Sequence, residues 1–305
     1  MNDATTQRLD NPNESAPVNK AISTNKSRGY WQGVALRLSR DKTTIVFCVI
    51  LFLMLLAILF GPLLSSHDPF EGDMMGRLKP IGFEGYVLGT DELGRDMLTR
   101  LLYGGRISWF LGITPVVVAF SIGGLLGVIA GFEGGWINTM IMRITDVFFA
   151  FPSVLLAVAI SGALGGGVFN VILSLTLVFI PPIIRVAEAV TTSVRELDYV
   201  EAARASGASN FIIIREHVLP NVLGPIFVYA TSLVSVSMIL AAGLSFLGLG
   251  TKPPDAEWGL MLNTLRTAIY TQPLITILPG FCIFMTSICF NMVSDGLRSA
   301  MDVRT

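Results

Sequence analysis

Two stretches of this chain carry acids and bases at spacings that could do chemistry. The first, 89–106, interleaves Asp91, Glu92, Arg95, Asp96, Arg100 and Arg106 with Gly89, Gly94, Gly104 and Gly105. Opposite charges a few residues apart suit a ligand site or, the preferred reading, a lid of local ion pairs. The second, 193–221, has Ser193 and Glu196 at capping-box spacing, which predicts a helix of about three turns that breaks at Gly207. A second helix then restarts after Ser209 or Asn210 and stops at Pro220. The small residues Ala202, Ala203 and Ala205 suit close docking of the first helix into a groove on another protein.

Catalytic patterns are missing. No Gly-x-x-x-x-Gly-Lys-Ser/Thr loop occurs, because none of Lys20, Lys26, Lys42, Lys79 and Lys252 follows a glycine, so ATP hydrolysis by that route is excluded. No His-Glu-x-x-His pair and no convergent nucleophile, base and orienting acid can be found. His67 and His217 stand far apart and read as solvated polar residues. Cys48, Cys282 and Cys289 all lie in apolar runs and read as small buried hydrophobes, not as a disulfide or metal framework.

The elements that position the two stretches follow from composition. Of 305 residues 52% are hydrophobic and 14% charged, and the mean hydropathy is +0.66, which marks an all-α membrane protein. A net charge of -1 without basic clusters argues against a nucleic-acid partner. Six runs have spanning length: 44–64, 108–131, 147–164, 168–184, 222–242 and 273–293. Residues 1–36 read as a disordered cytoplasmic tail, 37–106 as the first span plus a periplasmic loop, and 107–305 as a core of five spans. The first apolar run begins too late and is too long for a cleaved signal peptide.

Six spans put both termini on one side. Placing them in the cytoplasm assigns fourteen Lys and Arg residues inside and seven outside, as the positive-inside rule requires. Gly123, Gly127 and Gly131 line one face of the second span and predict close helix packing. Arg143 and Asp146, at the entrance of the third span, read equally as an interfacial turn or a partner contact. Pro152, Pro181, Pro182, Pro225 and Pro279 invite kinks. The segment from Asp96 onward predicts a short amphipathic helix at the bilayer surface, with Leu98, Leu101 and Leu102 on one face. The glycine-rich segment 243–259 is expected at the outer interface, with the Trp258 indole settling there, as the outer mouth of a pathway.

The spans hold essentially no ionisable residue between their ends, which argues against an ion-coupled carrier. Uphill transport would therefore draw its energy from a partner docked on the inside stretch. The residues alone leave three readings: such a driven permease, a stand-alone secondary transporter or channel, and a membrane scaffold that recruits a soluble protein.

Glu201-Ala202-Ala203, Gly207, Ile213 and the closing Leu219-Pro220 resemble the EAA loop of permease subunits from binding-protein-dependent ABC importers. The segment from Gly89 to Asp96, with Arg100, Gly105 and Arg106, is similar to that of the dipeptide, oligopeptide and nickel branch. So are Asp146, the run from Leu244 to Gly250, Trp258-Gly259 and the run from Asn291 to Arg298, all after its second permease subunit. Coverage is about 35–305.

The resemblance implies a type I importer permease fold with six transmembrane helices in the bacterial inner membrane. It implies a homologous but distinct permease partner, two cytoplasmic ATPase subunits and an extracytoplasmic solute-binding protein. ATP and Mg would be held by the ATPases, with no cofactor in this chain. A coupling helix at 196–206 is implied, with ATPase coupling through Tyr199, Glu201, Ala202, Ala203, Arg204, Gly207, Ala208, Leu219 and Pro220. Asp91, Gly94, Arg95, Asp96, Phe246, Gly248 and Trp258 are expected in the periplasmic loop and gate. Short peptides are the expected cargo, with nickel chelates, glutathione-like compounds and opine or sugar conjugates as alternatives within the branch.

Overall fold

The computed structural model describes residues 30–301. The expected disordered tail lies outside the described residues up to position 29. Its last part is not coil, because α1 (Tyr30–Leu38) begins there and buries Val34. α2 (Lys42–Leu64) is capped by Asp41, whose carboxylate accepts from the Thr43 amide, and it crosses α11 (Pro273–Met301) where Thr44 packs on Gly296.

α3 (Met97–Glu133) is the central rod, 37 residues or about 55 Å long. The amphipathic surface helix expected after Asp96 is not a separate element. Asp96 caps α3 itself, Leu101 is buried, and the helix runs unbroken into the span. Gly104 and Gly105 do not interrupt it, because each makes room for a neighbour: a Cβ on Gly105 would stand 2.9 Å from the Trp258 ring. The glycine stripe works as expected. Cβ atoms on Gly123, Gly127 and Gly131 would stand 2.9, 2.5 and 2.6 Å from the carbonyl oxygens of Ile180, Ile184 and Glu188 on α6 (Val168–Arg195). Two backbones thus meet along about two turns, and the core of Leu111, Phe132, Leu175, Phe179, Ile183 and Ile226 closes around them.

The third expected span is broken. α4 (Gly135–Phe149) and α5 (Ser153–Leu164) meet at 87°, with Pro152 at the N-terminal boundary of α5. Proline has no amide hydrogen to donate and disfavours helical dihedrals in the residue before it, so the chain turns instead of kinking. Five helices are long and apolar enough to cross a membrane by themselves, and the bent pair makes up to six.

After α6 come α7 (Asp198–Ala205), α8 (Asn210–Ile212), a π-helical stretch (Ile213–Val218) and α9 (Leu219–Phe246). The last three form one rod, Asn210–Phe246, so the second helix does not stop at Pro220. A proline there lacks the amide that would bond Glu216 and crowds that carbonyl, and the widened π turns relieve the crowding. The Leu219 amide accordingly donates to the Ile214 carbonyl, five residues back. α10 (Trp258–Thr264) and α11 complete the fold.

Candidate functional site

The 193–221 stretch is an elbow held against the ends of α3, α6 and α9. The expected capping box at Ser193 and Glu196 does not form. α6 continues to Arg195 because Val190 and Val194 still pack on the core, and the Ser193 hydroxyl donates to the Ala189 carbonyl at 3.0 Å. The short helix therefore spans Asp198–Ala205, within the expected 196–206. Asp198 and Glu201 in its first turn and Arg204 in its last complement the helix dipole.

α7 rests on two residues, Val200, fully buried, and Ala203, half-buried. Its other side is open: Tyr199, Glu201, Ala202, Arg204, Ala205 and Ser206 are exposed. Glu201 forms no ion pair among the described residues. The Arg204 guanidinium lies 6.0 Å from the centre of the Phe132 ring at the end of α3, and Tyr199 lies 6.3 Å from His217 in the π stretch. Gly207 ends α7 with φ +82°, donating to the Arg204 carbonyl at 3.0 Å, while Ala208 donates to the Ala203 carbonyl at 3.2 Å. That pair of bonds is a Schellman closure, with Ala203 and Ala208 in apolar contact with the core beneath it. Leu219 is half-buried and Pro220 exposed on the following rod.

The 89–106 segment is a knot of buried charge. Asp91 takes the amides of Leu93 and Arg95 on one oxygen and the Arg95 and Arg100 guanidinium groups, at 2.6 and 3.1 Å, on the other. Arg95 also reaches Glu92 at 3.1 Å, and Arg100 donates to the carbonyls of Pro69 and Asp255. Gly94, at φ +76°, touches the Asp73 carbonyl so closely that no side chain fits. Asp91, Arg95 and Arg100 are all under 5% exposed, so the knot pins loops together and presents no open ligand site. Phe246 and Gly248 are exposed where α9 ends.

Trp258 departs from expectation. It is 2% exposed and packed inside the protein instead of settling at a surface, with its indole N–H donating to the Leu101 carbonyl at 2.9 Å. Beside it lies a residue the sequence reading passed over. Glu257, 1% exposed, accepts from the Gly259 and Leu260 amides at 2.8 and 2.9 Å and from Ser108 at 3.3 Å. Burial pushes its carboxyl above the ordinary range, and those amides with the Ser245 and Ser108 hydroxyls oppose the shift. The available signal was an acid directly before a helix start, where a carboxylate caps free amides. A second missed contact is Glu188, which accepts from Asn138 at 2.7 Å and ties α4 to α6. Among the described residues no group of three or more His, Cys, Asp or Glu side chains is placed to hold a metal ion.

Residues 123–305 match the family described as binding-protein-dependent transport system inner membrane component, and 29–80 match the N-terminal TM domain of oligopeptide transport permease C. The chain is 39% identical to the dipeptide transport system permease protein DppC of Alkalihalophilus pseudofirmus, over 89% of each chain. It is 38% identical to the glutathione transport system permease protein GsiD of Pectobacterium atrosepticum, over 89% of this chain and 90% of that one. To the probable D,D-dipeptide transport system permease protein DdpC of Escherichia coli it is 39% identical, over 85% and 87%. Its fold is similar to two inward-facing structures of the MetNI methionine ABC transporter. They align with TM-scores of 0.54 and 0.55 at 19% identity, over 67% of this chain and 97% of theirs.

Proposed function

The chain belongs to the family of inner membrane components of binding-protein-dependent transport systems, and we propose that it is one of two distinct, homologous permease subunits of an ATP-driven importer of short peptides. It is a multi-pass inner-membrane protein with the helical fold of type I ABC importer permeases. On this reading both termini and the elbow face the cytoplasm, where two ATPase subunits bind ATP and Mg and this chain binds no cofactor. An extracytoplasmic binding protein delivers cargo to the opposite face. The peptide assignment is supported by relatives whose names specify dipeptides, glutathione and D,D-dipeptides.

The observation that carries the reading is the open face of α7: an exposed acid, an exposed tyrosine and small alanines on a helix seated by only Val200 and Ala203. Such a helix passes motion on. A displacement of α7 reaches α6 through Arg195 and Glu196 and reaches α9 through the Gly207 elbow and the π stretch. Purification of the tagged chain from its native membrane tests this. The two ATPases are expected to copurify with the wild type, and Glu201→Lys is expected to lower their yield about tenfold, one charge-assisted contact being worth about 1.5–3 kcal/mol. Equal yields from both would remove Glu201 from the interface.

A further inference from the structure

Among the charged residues of the long helices, Glu188 holds Asn138 and Arg195 donates to the Phe132 carbonyl. Two ion pairs there stay largely exposed: Arg215–Glu216, between neighbours in the π stretch, and one that joins two helices. Asp146, near the end of α4, meets Arg185 of α6 at 2.5 Å, and the two side chains remain 51% and 50% exposed. They stand just before the 87° break and beside Pro181 and Pro182. Counted from Val168, Arg185 lies about 25 Å along α6, close to the inner edge of a hydrocarbon core about 30 Å thick. An ion pair half open at that depth is disfavoured against lipid and is satisfied where water or a polar group reaches its open side.

The pair is joined through a single hydrogen bond, from one Arg185 Nη to one Asp146 oxygen, the only side-chain bond of either residue among the described residues. A guanidinium has five N–H donors and a carboxylate two accepting oxygens, so most of this capacity is uncommitted. The Phe149 ring, half-exposed, lies 4.6 Å from the guanidinium and fixes its plane from one side. Two apolar cavities of about 210 and 280 Å³ flank the site and share Phe148 and Pro181. The result is an anion contact and a cation contact side by side, an aromatic face, and apolar recesses next to them.

We propose that Asp146, Arg185 and Phe149 form a cargo contact in the inner part of the pathway, for a zwitterionic solute carrying an ammonium and a carboxylate on a partly apolar body. This inference rests on the importer reading and names where the cargo meets this subunit. Arg185 takes the carboxylate through its free N–H groups and Asp146 takes the ammonium, exchanging their mutual bond for two bonds to the solute. Phe149 and the recesses receive the side chains.

The complete importer in proteoliposomes tests it: this chain with its permease partner, ATPases and binding protein. Uptake of radiolabelled trialanine is measured per assembled complex. Asp146→Asn and Arg185→Gln are each expected to lower uptake about tenfold or more, the scale of one charge-assisted hydrogen bond. The exchanged pair, Asp146→Arg with Arg185→Asp, restores opposite charges between α4 and α6 but reverses them toward the cargo, and its uptake is expected to stay as low. Recovery to the wild-type rate in the exchanged pair would make the residues a mere latch between helices and overturn the proposal. Wild-type uptake in either single variant would do the same. If the exchanged pair does not assemble, Arg185→Lys decides, because it keeps the charge and loses the planar fork. About threefold lower uptake is expected, and the wild-type rate would overturn the proposal. Failure of wild-type vesicles to take up trialanine with ATP would instead refute the importer reading.

Discussion

Substitutions at Gly207 separate backbone geometry from size at the elbow. The residue sits at φ +82°, and a Cβ added there meets no atom within 4 Å. A larger side chain therefore has room, and the penalty is the left-handed backbone, about 1–2 kcal/mol for an ordinary L-residue. Asparagine populates that region more readily than alanine, and a β-branched residue less readily. A shift of 1–2 kcal/mol changes a local equilibrium about 5–30-fold. The Schellman bonds from Gly207 and Ala208 are what that shift loosens. Initial rates of ATP-dependent trialanine uptake, per assembled complex in proteoliposomes, are expected to fall about 5–30-fold for Gly207→Ala and furthest for Gly207→Val. Gly207→Asn is expected to stay within about threefold of wild type, although asparagine is larger than alanine. An order that followed side-chain volume, with Asn worse than Ala, would refute the argument, as would a Val variant at the wild-type rate.

Three further outcomes follow from packing and charge. Gly127→Val would force α3 off α6, since even a Cβ comes within 2.5 Å of the Ile184 carbonyl, and membrane abundance should collapse; Gly124→Ala, whose nearest neighbour is 4.0 Å away, should leave abundance unchanged or raised. Asp91→Asn removes the carboxylate that two buried guanidinium groups share, leaving only Glu92 as an acid beside Arg95, and should destabilise the solubilised protein by about 3–5 kcal/mol, read as a lowered melting temperature. Glu257 binds its proton more tightly folded than unfolded, so its contribution is complete below the ordinary carboxyl range and is lost as pH rises through the raised value. The melting temperature should therefore fall with pH across that window in the wild type and less in Glu257→Gln; equal slopes would show that Glu257 does not titrate there.

Several elements were legible in the sequence for definite reasons. α2 and α11 appear as apolar runs of spanning length, and the stripe at Gly123, Gly127 and Gly131 announces backbone contact because only small residues at that spacing allow it. Gly207 marks the elbow because little else ends a helix in that conformation. The break at 150–152 was not legible, since hydropathy records how apolar a run is and not which way it points. Ser193 and Glu196 misled because a capping pattern is local, whereas the packing of Val190 and Val194 that carries α6 past it is tertiary. The buried seat of Trp258 depends on Leu101, Gly105 and Ser108, about 150 positions earlier, and no local pattern reports that pairing. The π stretch likewise depends on how the rod absorbs Pro220 without ending.

On the importer reading, this chain provides a pathway and receives work from the ATPases. Proteoliposomes holding this chain and its permease partner, with or without the two ATPases, and supplied with loaded binding protein outside and ATP inside, test it directly. Trialanine is expected to accumulate only when the ATPases and ATP are both present. Accumulation without the ATPases, driven by an imposed ion gradient, would contradict it.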